Sequence, residues 1–143
     1  MVVRYGKNTC IKDDTIYFTP DMNFTIEEYE NCRDLGIQLC NDGYFSIHME
    51  NIIKKVRRLI GWVLRSFMDR SINFMKKMWN AIIRPHLDYC AQLWAPPEGP
   101  LLDNLEKLQY NFTGLIPELR NLEYCDRLKK LGMYSVQRRL DRY

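Results

Sequence analysis

Ser46-Ile47-His48-Met49-Glu50-Asn51-Ile52-Ile53-Lys54-Lys55-Val56-Arg57-Arg58-Leu59-Ile60-Gly61-Trp62-Val63-Leu64-Arg65-Ser66-Phe67 is the stretch on which the fold turns. Ile52, Ile53, Val56, Leu59, Ile60, Val63, Leu64 and Phe67 recur at helical spacing. At ~100° per residue they fill an arc of roughly 140°, whereas Lys54, Arg58 and Arg65 fall within about 40° of one another on the opposite side. Lys55 and Arg57 flank that stripe. The pattern predicts a core helix with a basic outer ridge.

Downstream the helical period persists. A second helix starts near Ser71 and carries Ile72, Met75, Met78, Trp79, Ile82 and Ile83 on one face. Pro85 lacks a backbone donor and disfavours helix at Arg84, so a kink or break is expected there. The apolar register resumes at Cys90, Leu93 and Trp94, and Pro96-Pro97-Glu98-Gly99-Pro100 ends it in a loop. Leu101, Leu102, Leu105, Leu108 and Phe112 begin a third helix that Pro117 closes. Leu122, Cys125, Leu128 and Leu131 form a fourth before Gly132, and Ser135 is placed as the N-cap of a short last one.

Upstream the signals are those of short strands: Val2, Val3 and Tyr5, then Thr15 to Thr19, Asn23 to Ile26, and Leu35 to Leu39. Asp13-Asp14 and Pro20-Asp21 punctuate them. A sheet this small needs something to pack on. The expected class is therefore α+β, mainly α: a short antiparallel β segment over residues 1–45, followed by a four- to five-helix bundle over 46–143.

Composition supports a folded chain: 46% hydrophobic and 13% aromatic residues in 143 fill a core, which excludes disorder and fibrous repeats. No run approaches the ~20 apolar residues of a membrane span, and the first residues lack a signal peptide's apolar core. The expected location is intracellular, nucleus or cytoplasm, with no membrane partner and no secretion. The net charge of +3 hides an asymmetry. Residues 1–50 hold 4 Lys/Arg against 9 Asp/Glu, residues 51–84 hold 9 against 1, and residues 85–143 hold 8 against 8. A block so one-sided repels itself unless an anion compensates it, and the candidates are a nucleic-acid backbone, an acidic partner surface or the acidic strand segment.

Other signals are weaker. Five cysteines (Cys10, Cys32, Cys40, Cys90, Cys125) with no Cys-x-x-Cys pair indicate buried reduced thiols rather than a disulfide framework or zinc site. His48 and His86 lack the spacing of metal ligands or catalytic groups. The sequons at Asn23 and Asn111 are read as chance matches. Asp13-Asp14 resembles a polymerase metal hairpin only superficially: Lys12 precedes it and no upstream sheet supplies a third carboxylate. No catalytic or metal-binding residue is assigned.

Several strings nonetheless line up in order: Asp34-Leu35-Gly36-Ile37, His48 to Lys54, Ile83-Arg84-Pro85-His86-Leu87-Asp88-Tyr89, Leu93-Trp94-Ala95-Pro96, Leu105-Glu106-Lys107-Leu108-Gln109, Phe112-Thr113 and Leu122-Glu123-Tyr124-Cys125-Asp126-Arg127-Leu128-Lys129-Lys130-Leu131-Gly132-Met133, with Ser135 and Arg138-Arg139. Together they closely resemble the carboxy-terminal part of reverse transcriptases from LINE-type non-LTR retrotransposons, just after the catalytic palm, over essentially the whole chain. The resemblance implies a palm-end β segment followed by a helical thumb that contacts the template-primer duplex. Lys54, Lys55, Arg58 and Arg65 would then neutralise backbone phosphates of an RNA–DNA or DNA duplex, weakly and without reading sequence. Asp34, Leu35 and Gly36 would fall in or beside the hairpin that supports the primer end.

The same resemblance implies that the catalytic aspartates, and the Mg2+ they hold, belong to a palm upstream of this segment, together with the fingers. The parent activity is RNA-directed DNA polymerisation, and this chain alone is expected to be inactive and to need no cofactor. Tyr110, Asn111 and Gly114 stand where the family usually has basic residues, and the family's arginine-rich last helix is represented only by Arg138 to Tyr143. Both features fit a fragment or decaying copy, whether or not it still binds nucleic acid. The alternative is a small helical protein-interaction module whose basic ridge binds an acidic partner.

Overall fold

The computed structural model describes residues 30–96 and 99–142. The chain forms two compact units whose boundary falls between His48 and Met49. The candidate strands before residue 30, Asp13-Asp14, Cys10 and Asn23 lie outside the described residues.

In the first unit, β1 (Asn31–Asp34) pairs antiparallel with β2 (Ile37–Cys40), with Asp34 opposite Ile37 and Asn31 opposite Cys40. The strand expected from Leu35 to Leu39 is corrected here. Leu35 and Gly36 form the two-residue turn, with φ of 45° and 84°. Positive φ at both positions defines the type I′ turn, whose twist matches that of the strands it joins. Strand propensity at Leu35 yields to Gly36, which supplies that geometry without steric cost. Cys32, Ile37 and Cys40 are buried. The outward N–H of Gln38 donates to Nδ1 of buried His48 (3.2 Å), so the edge of β2 is closed by a side chain.

In the second unit the basic amphipathic helix is present as α1 (Ser46–Ser66), which starts across the boundary. Met49, Ile52, Ile53, Val56 and Val63 are buried, and the rest of the expected stripe lies at its edges. The helix ends one residue before Phe67, because Arg70 turns back onto its terminus. Nη2 donates to Leu64 O and Nη1 to Phe67 O, both at 2.6 Å, satisfying carbonyls that no helical partner reaches. Ser71 then caps α2 (Ile72–Met78) by accepting from Phe74 N–H, so the helix begins where the sequence places its start.

The break expected at Pro85 does not occur. Residues Trp79–Ile83 form a π-helical turn that leads directly into α3 (Arg84–Asp88), with Arg84 N–H donating to Trp79 O. Widening the helix by one residue per turn accommodates the missing donor and ring of a mid-helix proline. The break comes later, at Cys90, whose φ of 50° separates α3 from the single turn α4 (Ala91–Trp94). That shift corrects the expected register: Leu87, Ala91 and Trp94 are buried, while Leu93 is exposed.

The longer α5 (Pro100–Gly114) buries Leu102, Leu105, Leu108 and Phe112, and Phe112 meets Trp79 with ring centroids 5.1 Å apart. A 3₁₀ turn (Pro117–Leu119), α6 (Tyr124–Leu131) and α7 (Val136–Leu140) pack on it. The observed class is α+β and mainly helical, a two-stranded antiparallel hairpin followed by the helices. In α6 the buried positions are Arg127, Leu128 and Leu131, so Cys125 faces outward. The expectation of buried thiols holds for Cys32 and Cys40, is partial at Cys90 and is corrected at Cys125.

Candidate nucleic-acid interface

Lys54, Lys55, Arg58 and Arg65 are all exposed on α1. Lys54, Arg58 and Arg65 share one stripe, and their contacts are local. Lys54 Nζ lies 3.4 Å from Glu50 across one helical turn, and Arg58 Nε donates to Lys54 O at 3.4 Å. Arg65 folds back over Gly61, where a Cβ would lie 3.2 Å from its Nη1. Lys55 is set apart from this stripe, and its charge reaches His86 on α3. Burial first, and Lys55 second, hold the His86 imidazole below its ordinary pKa.

Sequence reasoning could not separate exposed aromatics from core ones. On α1 the distinction is now visible: Trp62 is 46% exposed. By helical geometry it stands ~40° from Arg58, between that residue and Lys55. Its ring makes an edge contact with Phe67, centroids 5.8 Å apart, which limits its freedom. A half-open indole among cations offers a ring face for a base beside charges for a phosphate. Asp34, Leu35 and Gly36 occupy the exposed tip of the hairpin, with Leu35 81% exposed in the left-handed region.

A second basic cluster was not anticipated. Asn80, Arg84, Gly132, Met133, Tyr134, Arg139 and Arg142 line a cavity of about 330 Å³. An adjoining open depression is lined by Asn73, Lys76, Lys77, Asn80 and Ala81. The polar series Asn73, Lys76 or Lys77, Asn80 and Arg84 runs at helical spacing, a signal present in the sequence. The arrival of Arg139 and Arg142 from a distant segment is not. Asp88 organises two of these groups: its Oδ2 accepts from Arg84 Nε at 2.9 Å, and its Oδ1 lies 3.5 Å from Arg139 Nε. Arg142 lies over the Tyr134 ring, 4.3 Å from its centroid. Hydrogen bonding and charge from Arg142, with Arg138 adding to them, pull the Tyr134 phenol below its ordinary pKa.

Other polar groups serve the fold. Glu106 accepts from the Tyr124 hydroxyl and, through its other oxygen, from Gln137 N–H at 3.0 Å. Buried Gln109 donates to Tyr134 O at 3.0 Å and lies 3.3 Å from the same hydroxyl. Burial, then Glu106, raise the Tyr124 pKa far above the phenol range, so it stays a donor. Arg127 donates to Leu122 O at 2.7 Å and to Arg120 O at 3.4 Å, and its guanidinium stands over Tyr110. Gly114 leaves room for it: a Cβ there would sit 3.0 Å from Arg127 Nη1.

Among the described residues no group of three His, Cys, Asp or Glu side chains is placed to hold a metal ion, and no helix is long and apolar enough to cross a membrane. Comparison with protein-family models, with curated proteins and with solved structures finds no match to the chain.

Proposed function

We propose that the helical unit grips the sugar-phosphate backbone of a nucleic-acid duplex, as the thumb of a LINE-type reverse transcriptase grips its template and primer. The observation that carries this reading is the exposed stripe of Lys54, Arg58 and Arg65 with Trp62 beside it. A row of like charges in solvent neutralises phosphates and releases their counterions, giving affinity without sequence readout. Among the described residues Glu50 lies against Lys54, across an exposed contact of a kind that contributes little to stability. The ordered strings from Asp34 to Arg139 supply the family side of the proposal.

The test is binding of the full chain to an RNA–DNA hybrid duplex over a range of salt. Log affinity should fall linearly with log salt, with a slope of roughly −0.9 for each phosphate neutralised on a B-form duplex and of similar order on a hybrid. Reversing Lys54, Arg58 and Arg65 together to Glu should abolish binding and leave the helical circular-dichroism spectrum unchanged. Absence of salt-dependent binding, or undiminished binding by the triple variant, overturns the proposal.

A further inference from the structure

The geometry points to a phosphate-binding site, separate from the α1 ridge, in the cavity between the π turn with α3 and the segment from Gly132 to Arg142. Three arginines from two distant segments, Arg84, Arg139 and Arg142, line one cavity together with Asn80. Guanidinium groups recognise tetrahedral oxyanions through paired N–H donors. Asp88 orients two of the three. It engages Arg84 and Arg139 on the Nε side of each guanidinium. Arg142 is held by the face of Tyr134. Lys76 extends the basic surface to the rim, where a Cβ on Gly132 would lie 3.5 Å from its Nζ.

The local backbone favours such a site. Asn80 and Ile83 belong to the π turn, a conformation that recurs where a helix has been adapted to a ligand. The wall opposite is set by Gly132, whose φ of 60° ends α6 and turns the chain into Met133 and Tyr134. The ligand class is a phosphate group, supplied either by a nucleic-acid backbone or by free phosphate.

The experiment titrates the isotopically labelled full chain with inorganic phosphate, and separately with a short RNA–DNA duplex. Arginine Nε–Hε and Asn80 side-chain resonances are followed at constant ionic strength set with sodium chloride. Saturable phosphate-induced shifts at Arg84, Arg139, Arg142 and Asn80, absent with chloride or acetate, are expected. Arg142→Gln, which leaves the Asp88 pairs intact, should weaken phosphate at least tenfold, and Arg120→Gln, outside the cavity, should not. Arg139→Gln gives a second reading should Arg142→Gln perturb α7.

If phosphate and duplex compete for these resonances, the natural source is a nucleic-acid backbone. If phosphate alone shifts them, the source is free phosphate, and if the duplex alone does, a polymer phosphodiester is required. No saturable shift with either overturns the site. The triple variant at Lys54, Arg58 and Arg65 separates this inference from the proposed duplex grip: cavity shifts with inorganic phosphate must persist in it, and their loss also overturns the site.

Discussion

The outer face of α1 and the seam where α5 meets α6 and α7 are both rich in polar side chains, yet they use them oppositely. On α1 the recorded contacts of Lys54 and Arg58 stay within one helical turn, and the side chains stand in solvent. In the seam, Glu106 and Gln109 reach Tyr124, Tyr134 and Gln137, residues brought together only by folding. Among the described residues, Lys54 and Arg58 keep their contacts on their own helix, whereas the polar groups of the seam are consumed by the fold. Polarity alone does not mark a binding surface.

Mutations can break or sharpen this contrast. The largest effect on stability is expected in the seam. Glu106→Ala removes the acceptor of both Tyr124 O–H and Gln137 N–H and should lower unfolding free energy by ~2–3 kcal/mol in a urea melt. Adding Tyr124→Phe to that variant should cost much less than it does in the wild type, because the two residues act as a pair. Additive losses would show that the network is not one unit.

A smaller gain is expected at the hairpin. Leu35→Asn replaces a residue strained at positive φ with one that tolerates it, and should stabilise β1 and β2 by ~1 kcal/mol, read by amide hydrogen exchange. No added protection would mean that Leu35 contributes contacts of equal value.

The first unit should also respond to pH. Burial first, and Arg33 second, hold His48 below its ordinary pKa of 6.5. The folded state therefore binds fewer protons there than the unfolded chain. The contribution of neutral His48 is fully present above pH 6.5 and is lost as pH falls through its folded pKa. Protonation also removes the Nδ1 acceptor for Gln38 N–H. The protection factor of the Gln38 amide, which corrects for slower intrinsic exchange at lower pH, should fall in mild acid, and His48→Gln should flatten that response. His86 shifts in the same direction, so His86→Gln serves as the comparison, and equal flattening by it would refute the assignment.

The smallest effect on stability belongs to the ridge. Lys54→Gln, Arg58→Gln and Arg65→Gln should each change unfolding free energy by no more than ~0.5 kcal/mol. A larger loss from any of them would erase the contrast with the seam.

Much of the helical unit was legible because its signals are local. The apolar stripe from Ile52 to Val63, the helix start near Ser71, the cap at Ser135 and the stop at Gly132 each lie within a few turns of one segment. Errors arose where a local preference met a competing requirement. Leu35 reads as strand but serves the turn, the break allowed at Pro85 is replaced by a π turn that carries the helix through, and the left-handed Cys90 rotates Leu93 out of the core. Cys125 reads as core until the burial of Arg127 shows which face of α6 is inward.

The candidate site divides in the same way. Lys54, Lys55, Arg58 and Arg65 could be placed on the outside of a helix from their spacing, since one helix's geometry fixes their relative directions. The exposure of Trp62 and the cavity of Arg84, Arg139 and Arg142 could not. Those depend on which segments pack together and how the π turn rotates Arg84. The sequence by itself determined the class of fold and the existence of a basic helical face, because periodicity and charge act within one segment. Only the tertiary structure decided which cations converge and which polar groups are spent on the fold, because contacts between distant residues are set by packing that no single segment encodes.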